Sequence, residues 1–210
     1  MAIRLLVADD HEVVRSGLVS LLEGTGIEVI AQAGNAAEVI KQAHELKPDV
    51  VLLDIRLGED DGLVVLETLR RELPDTKVVI LSTYDNPTYV ARAYAMGANE
   101  YVLKGATRDN LVGAILAVAA GQSPTEFGEM RNIAGTMATR QIDPAGDVQL
   151  TQRETQVLRH LALGLSNKEI GQSLSISVET VKEHVQHLLR KMQVSDRTQA
   201  AVWAVKRGLA

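Results

Sequence analysis

Three acids, a hydroxyl and a lysine stand at intervals that suit one kind of chemistry. Asp9 and Asp10 follow the apolar run "IRLLVA", Asp54 closes "DVVLLD", Ser82 closes "KVVILS" with Thr83 next to it, and Lys104 closes "EYVLK". If these runs lie side by side, the carboxylates of Asp9, Asp10 and Asp54 meet. Crowded carboxylates repel and resist ionising unless a cation joins them. A hard divalent ion held by oxygen ligands and water, Mg2+ above all, resolves the conflict. A carboxylate beside Mg2+ can attack phosphorus and become an acyl phosphate. The cation and Lys104 would then offset charge on the phosphoryl oxygens, and the Ser82 hydroxyl would hydrogen-bond one of them.

Such a meeting needs strands that run parallel and end on one edge. The runs at 3–8, 27–33, 49–54, 77–82 and 100–104 are short, β-branched and bounded by turn residues, as strands are. Between them, 11–24, 35–46, 62–72, 87–96 and 107–119 carry helical patterns. Gly24, Gly97 and Gly121 stand where C-terminal caps fall, and Asn86-Pro87 makes a cap and first turn. Strict β/α alternation predicts a doubly wound, five-stranded parallel sheet with helices on both faces. A central strand is then buried on both sides, which explains the unbroken run Val50–Leu53. In open sheets of this kind, ligands bind at the carboxyl ends of the strands, where the acids stand.

The pattern stops after residue 120. Residues 121–147 are rich in Gly, Pro, Ser and Thr and read as a linker, part helical near 126–140. From 148 to 210 four helices and no strand are expected. Thr151-x-x-Glu154 and Ser166-x-x-Glu169 are capping-box matches, and Asp196-x-x-Gln199 is a looser third. Near 178–192, Val178, Val181, Val185, Leu188 and Met192 alternate spacings of three and four, giving one buried stripe. The domains are therefore 1–120, a linker at 121–147, and a small all-α domain at 148–210.

Charge divides along the same lines. Residues 1–120 hold 11 Lys and Arg against 18 Asp and Glu, and residues 148–210 hold 9 against 5. The basic tail is the part suited to a polyanion. Cysteine is absent, which excludes disulfides and thiolate metal sites. No apolar run approaches the roughly 18 residues of a membrane span, and residues 1–20 lack a signal peptide's layout, so a cytoplasmic protein with no membrane contact is expected.

"LVADDH", "VVLLDIRLGEDDG", "ILSTYD" and "YVLKGA", in this order and spacing, resemble the receiver domain of bacterial two-component response regulators. Residues 150–209 resemble a LuxR-type helix-turn-helix, and the two together resemble the NarL/FixJ family. The resemblance implies a flavodoxin-like receiver followed by a DNA-binding domain. It implies that Asp54 is the phospho-acceptor, that Asp9 and Asp10 are the acidic pair, and that the backbone carbonyl of Arg56 completes the protein's share of the metal shell. Ser82 matches the switch hydroxyl, Lys104 the family's lysine and Tyr101 its aromatic switch. The implied partners are a sensor histidine kinase, promoter DNA and a second copy of the chain, the homodimer forming on phosphorylation. Two departures are visible. Gly58 stands where receivers often carry proline, predicting a looser loop after Asp54. Gly105 follows the lysine where many receivers have proline, which leaves that peptide's geometry open.

The helix-turn-helix reading rests on the turn Ser175-Ile176-Ser177, with Ser177 as N-cap of the helix over 178–192. With the stripe inward, Glu179, Thr180, Lys182, Glu183, Gln186 and Arg190 lie on the side that would enter the major groove. Lys182 can donate to guanine, Gln186 can pair with adenine, and Glu183 can accept from cytosine. Lys168, Arg190, Lys191 and Arg197 are candidate phosphate contacts. Other readings remain. An aspartate nucleophile with Ser and Lys on such a sheet also resembles haloacid-dehalogenase-type phosphatases. Their general acid two residues on is Arg56 here, which cannot donate a proton at neutral pH, so the chain is not expected to be an enzyme. A flavin module fits poorly, because acids at strand ends make a poor phosphate cradle. A DNA-binder indifferent to phosphorylation is the remaining alternative.

Overall fold

The computed structural model describes residues 2–131, 148, 150–207 and 209. Contacts divide the chain into two compact units: residues 1–85 with 96–131, and residues 86–95 with those from 132 onward. The strands are β1 (Ile3–Ala8), β2 (Ile27–Ala33), β3 (Val50–Asp54), β4 (Arg56–Leu57), β5 (Asp60–Asp61), β6 (Lys77–Ser82) and β7 (Glu100–Leu103). The helices are α1 (Glu12–Leu22), α2 (Ala36–Leu46), α3 (Gly62–Glu72), α4 (Pro87–Ala95), α5 (Arg108–Ala119), α6 (Gln152–Ala162), α7 (Asn167–Leu174), α8 (Val178–Met192) and α9 (Arg197–Lys206).

In the first unit, five strands form the expected parallel sheet in the order β2-β1-β3-β6-β7. On one face Leu5, Val7, Val50, Leu52, Val79 and Val102 pack against Leu18 and Leu22 of α1 and Leu111 and Ile115 of α5. Alternate residues point the other way. Leu6, Val51, Leu53 and Ile80 are buried there, as are Val39 of α2 and Leu63, Leu66 and Leu69 of α3. Every residue of β3 is buried, as its unbroken apolar run requires.

The register positions the site. Ala8 pairs with Leu53, so Asp9 emerges beside Asp54. Asp54 pairs with Leu81, one residue before Ser82, and Ser82 pairs with Leu103, one residue before Lys104. The strand order reverses between β1 and β3, the place where such sheets open a crevice for ligands.

Gly24, Gly97 and Gly121 all take positive φ, as their capping positions require. The loop after Asp54 differs from expectation. Instead of a looser loop, β4 and β5 form a tight two-residue hairpin, Arg56 pairing with Asp61 and Leu57 with Asp60. Gly58 turns it in the left-handed region, at φ 66°, which proline cannot enter. The peptide after Lys104, left open by the sequence, is trans.

In the second unit α6, α7, α8 and α9 fall where the sequence places them. Thr151 and Ser166 both close full capping boxes, and the Asp196 side chain accepts from Gln199 N. The core gathers Val157, Leu158, Leu161, Ile170, Val181, Leu188, Met192, Ala200 and Ala204. Trp203 packs against it, as a core residue should. Ser175 makes the turn between α7 and α8 in a left-handed conformation, without the usual glycine. The expected short helix near 126–140 falls for the most part outside the described residues.

Candidate functional site

Asp54, at the end of β3, is 6% exposed. Its Oδ1 accepts from Arg56 N at 3.2 Å, and its Oδ2 accepts from Lys104 Nζ at 2.6 Å. The same ammonium lies 2.6 Å from Asp9 Oδ2, so Lys104 bridges the ends of β1 and β3 from the end of β7. Burial, the largest influence, pushes the Asp54 carboxyl above its usual range, against the lowering effects of Lys104 and the Arg56 amide. Burial also works against the charge of Lys104, but its bonds to Asp54 and Asp9 outweigh this and hold the ammonium above its usual range.

Asp9 is 1% exposed, and its Oδ1 accepts from His11 N at 2.9 Å. Asp10 is partly exposed, and His11 Nδ1 lies 2.6 Å from its Oδ1. Asp9, Asp10 and His11 offer ligand atoms within 4.8 Å of one another. The acidic donors are hard oxygens, and the pair is poised beside a third carboxylate. That donor chemistry suits a hard divalent cation with water completing its shell.

Ser82 is fully buried, and its Oγ accepts from Tyr84 N at 3.1 Å. Tyr101 is already inside: its ring has no exposed surface, and its hydroxyl donates to Tyr84 O at 2.7 Å. Three contacts around these residues carry no sequence signal strong enough to be singled out. Arg15, on α1, donates from Nη1 to the Asp9 carbonyl at 2.7 Å and so braces the acidic turn. The guanidinium of Arg56 sits 5.6 Å from the Tyr84 ring centroid. Gly62 donates its amide to Ile55 O at 2.6 Å and has no room for a side chain. Glu59 is exposed, whereas Asp61 caps α3 through Leu63 N and Asp60 accepts from Ala36 N.

On the second unit, α8 presents Glu179, Lys182, Glu183, Gln186, Arg190 and Lys191 to solvent. Lys182 Nζ bonds Glu179 Oε1 at 2.7 Å within the helix. Thr180 is tied to the Ser177 cap. The stripe needs one correction: Val178 is 38% exposed, because the first residue of α8 precedes the part of the helix that the core covers. Lys191 and Arg197, both candidate phosphate contacts, are held within the domain. Lys191 Nζ bonds the buried Glu154 Oε2 at 2.7 Å. Arg197 donates to Leu165 O at 2.5 Å and to Asn167 Oδ1 at 3.4 Å. Lys168 is exposed.

A cluster of carboxylates about one ammonium at the switch point of a doubly wound sheet, joined by chain to a helix-turn-helix, defines a class of signal-receiving DNA-binding proteins. Comparison with known proteins agrees. Residues 5–116 match the response regulator receiver domain, and residues 148–204 match the bacterial regulatory proteins of the luxR family. The chain is 38% identical to the transcriptional regulatory protein LiaR of Bacillus subtilis, over 96% of both chains. It is 35% identical to the response regulator protein VraR of Staphylococcus aureus, over 100% of this chain and 99% of the relative. Among solved structures it resembles the response regulator ChrA of a heme-sensing two-component system, at 32% identity and a TM-score of 0.52, over 100% and 99% of the two chains. It shares the fold of RcsB, whose structure is of two dimers bound to two parallel DNAs, at 21% identity and a TM-score of 0.58, over 98% of both chains. The protein belongs to the two-component response regulators of the NarL/FixJ type, a receiver joined to a LuxR-type DNA-binding domain, and is a transcription regulator. The members of this family are not enzymes, which removes the phosphatase reading. Among the described residues no helix is long and apolar enough to cross a membrane.

Proposed function

We propose that Asp54 accepts a phosphoryl group from a sensor histidine kinase, and that this modification controls binding to promoter DNA in the cytoplasm. One observation carries the reading: a single ammonium, Lys104 Nζ, stands 2.6 Å from both Asp54 and Asp9. A carboxylate oxygen of Asp54 attacks phosphorus, and the bond from phosphorus to the donor's leaving group breaks. Lys104 then takes one phosphoryl oxygen and Ser82 another. Asp9, Asp10, Asp54 and the Arg56 carbonyl would hold Mg2+, which supplies charge neutralisation at the transferring group. The displaced Ser82 pulls on the turn at Tyr84, to which the Tyr101 hydroxyl is bonded. The reading assigns 1–120 to the receiver, 121–147 to the linker and 148–210 to the DNA-binding domain.

Two recognition helices, one from each protomer of a phosphorylated homodimer, would reach paired half-sites. On each, Lys182, Glu183 and Gln186 face bases, with Glu179 and Thr180 beside them. Lys168, Arg190, Lys191 and Arg197 line the backbone, Lys191 and Arg197 exchanging their present partners for phosphate.

The test is acetyl phosphate with Mg2+ on wild type and on Asp54→Asn, read by intact mass, then sedimentation, then DNA binding. Wild type should gain one phosphoryl group, dimerise and bind DNA more tightly, and the variant should do none of these. Equal DNA binding by both proteins, before and after treatment, would leave a constitutive DNA-binder in place of this reading.

A further inference from the structure

We infer that residues 123–130, the first part of the linker, form a strap that carries the state of the acceptor site to the rest of the linker, and that Glu100 is the group that seats it. The inference rests on the reading of Asp54 as acceptor.

Glu100 opens β7 and is fully buried. Its carboxylate is occupied by backbone amides. Oε1 accepts from Tyr101 N at 2.9 Å and from Met130 N at 3.1 Å, and Oε2 accepts from Thr125 N. The strap is held at further points: Ser123 Oγ donates to Asn99 O at 2.7 Å, and Glu129 N donates to Tyr101 O at 2.8 Å. Thr125 and Met130 are buried with it. The approach is as close as a backbone permits. A Cβ on Gly128 would lie 2.5 Å from the Glu100 carboxyl, and a Cβ on Gly113 of α5 would lie 2.9 Å from the Phe127 ring.

This arrangement has two discrete states. Lifting Thr125 or Met130 leaves a buried carboxylate short of donors, which is costly, so the strap is either seated or released as a unit. The seat adjoins the switch. Ser82 Oγ holds Tyr84 N, Tyr84 O holds the Tyr101 hydroxyl, and the Tyr101 peptide is bonded on one side by Glu100 and on the other by Glu129. A shift of Ser82 toward a phosphoryl group therefore disturbs the peptide to which the strap is fastened. In the sequence, residues 132–147 separate the strap from the DNA-binding domain.

The test uses the full chain, with and without acetyl phosphate and Mg2+. Amide exchange is followed over residues 123–131, and binding is measured to a duplex selected on the phosphorylated wild type. Phosphorylation should speed exchange of the Thr125, Glu129 and Met130 amides about tenfold in wild type and leave it unchanged in Asp54→Asn. Gly128→Ala, which unseats the strap, should exchange fast before phosphorylation. It should take up the phosphoryl group like wild type by intact mass, yet show DNA affinities within about twofold of each other in the two states. Glu100→Gln keeps the size but sets an amide NH2 against Thr125 N–H, and should give the same two results. The inference is overturned if exchange over 123–131 is unmoved by phosphorylation of wild type, or if Gly128→Ala keeps the full gain in DNA affinity. In that last case the acceptor reading stands. If wild type gains no phosphoryl group, or gains it with no effect on DNA, that reading fails and this inference falls with it.

Discussion

At position 62 a Cβ would lie 2.1 Å from the backbone oxygen of Asp54 and 2.9 Å from that of Ile55. Neither oxygen can retreat cheaply, since each belongs to the end of a fully buried strand or to the hairpin it feeds. The glycine that closes "EDDG" is therefore part of the support of Asp54, the proposed acceptor, although it offers no side chain to the site. Gly62→Ala should cost about 1–3 kcal/mol of stability, the usual penalty of overpacking. Because the displaced atoms belong to Asp54 itself, phosphoryl uptake from acetyl phosphate should slow as well. Urea denaturation and the rate of mass gain measure the two effects separately, and an alanine variant with wild-type stability would show the contact to be relieved elsewhere. Lys104 belongs to the same scale. Two carboxylates from different strands share its ammonium, so its pairing fixes Asp54 and Asp9 together.

Elements are joined by buried polar groups more specific than their apolar faces, and His160 is the clearest case. It lies on α6 with no exposed surface. Its Nδ1–H donates to Gln156 O at 2.7 Å, and its Nε2 accepts from Ser173 Oγ of α7 at 2.8 Å, so the ring clamps two helices in its neutral form. Burial, the largest influence, lowers its pKa, although the bond to Gln156 opposes this. Above the unfolded value of about 6.5 the ring is neutral in both states, and the clamp contributes fully. As pH falls below that value toward the depressed folded one, the unfolded chain binds a proton that the folded chain refuses. Stability is then lost at up to about 1.4 kcal/mol per pH unit. The melting temperature of the DNA-binding unit should therefore fall between about pH 7 and pH 5, and His160→Gln should flatten that dependence. An equal slope in the variant would assign the loss to other groups. The elements themselves were legible from sequence because period, caps and glycines agreed: "DVVLLD" could only be a strand buried on both faces, and Thr151 and Ser166 marked their helix starts. What escaped had no periodic or local signal. The β4–β5 hairpin is two residues deep. Val178 fits the stripe of α8, but its exposure depends on where the neighbouring core ends. Glu100 reads as a solvated charge at a strand's start, because the amides that bury it lie 25 and 30 residues downstream.

Across the whole molecule, the division of charge sets how the protein should meet DNA. The first 120 residues carry a net −7 (11 basic against 18 acidic) and residues 148–210 a net +4 (9 against 5). The receiver repels a polyanion while the tail attracts it, so affinity comes from the helix-turn-helix surface and must depend on salt. If Lys168, Arg190, Lys191 and Arg197 each neutralise a phosphate, log affinity should fall against log salt with a slope of roughly −3 to −4 for each bound protomer. The individual residues should separate by type. Arg190→Ala should weaken binding alike on the selected and a scrambled duplex and reduce the slope by about 1. Lys182→Ala should cost about 1–3 kcal/mol on the selected duplex and little on the scrambled one, because a base contact carries discrimination. Lys191→Ala should behave differently from both. Its partner Glu154 is buried and completes the capping box of α6, so the variant should lose about 1 kcal/mol of fold stability besides its phosphate contact. Isotherms at several salt concentrations, with a thermal melt of each variant, resolve these effects. A slope near zero, or equal losses on both duplexes for Lys182→Ala, would mean that this face of α8 does not read DNA.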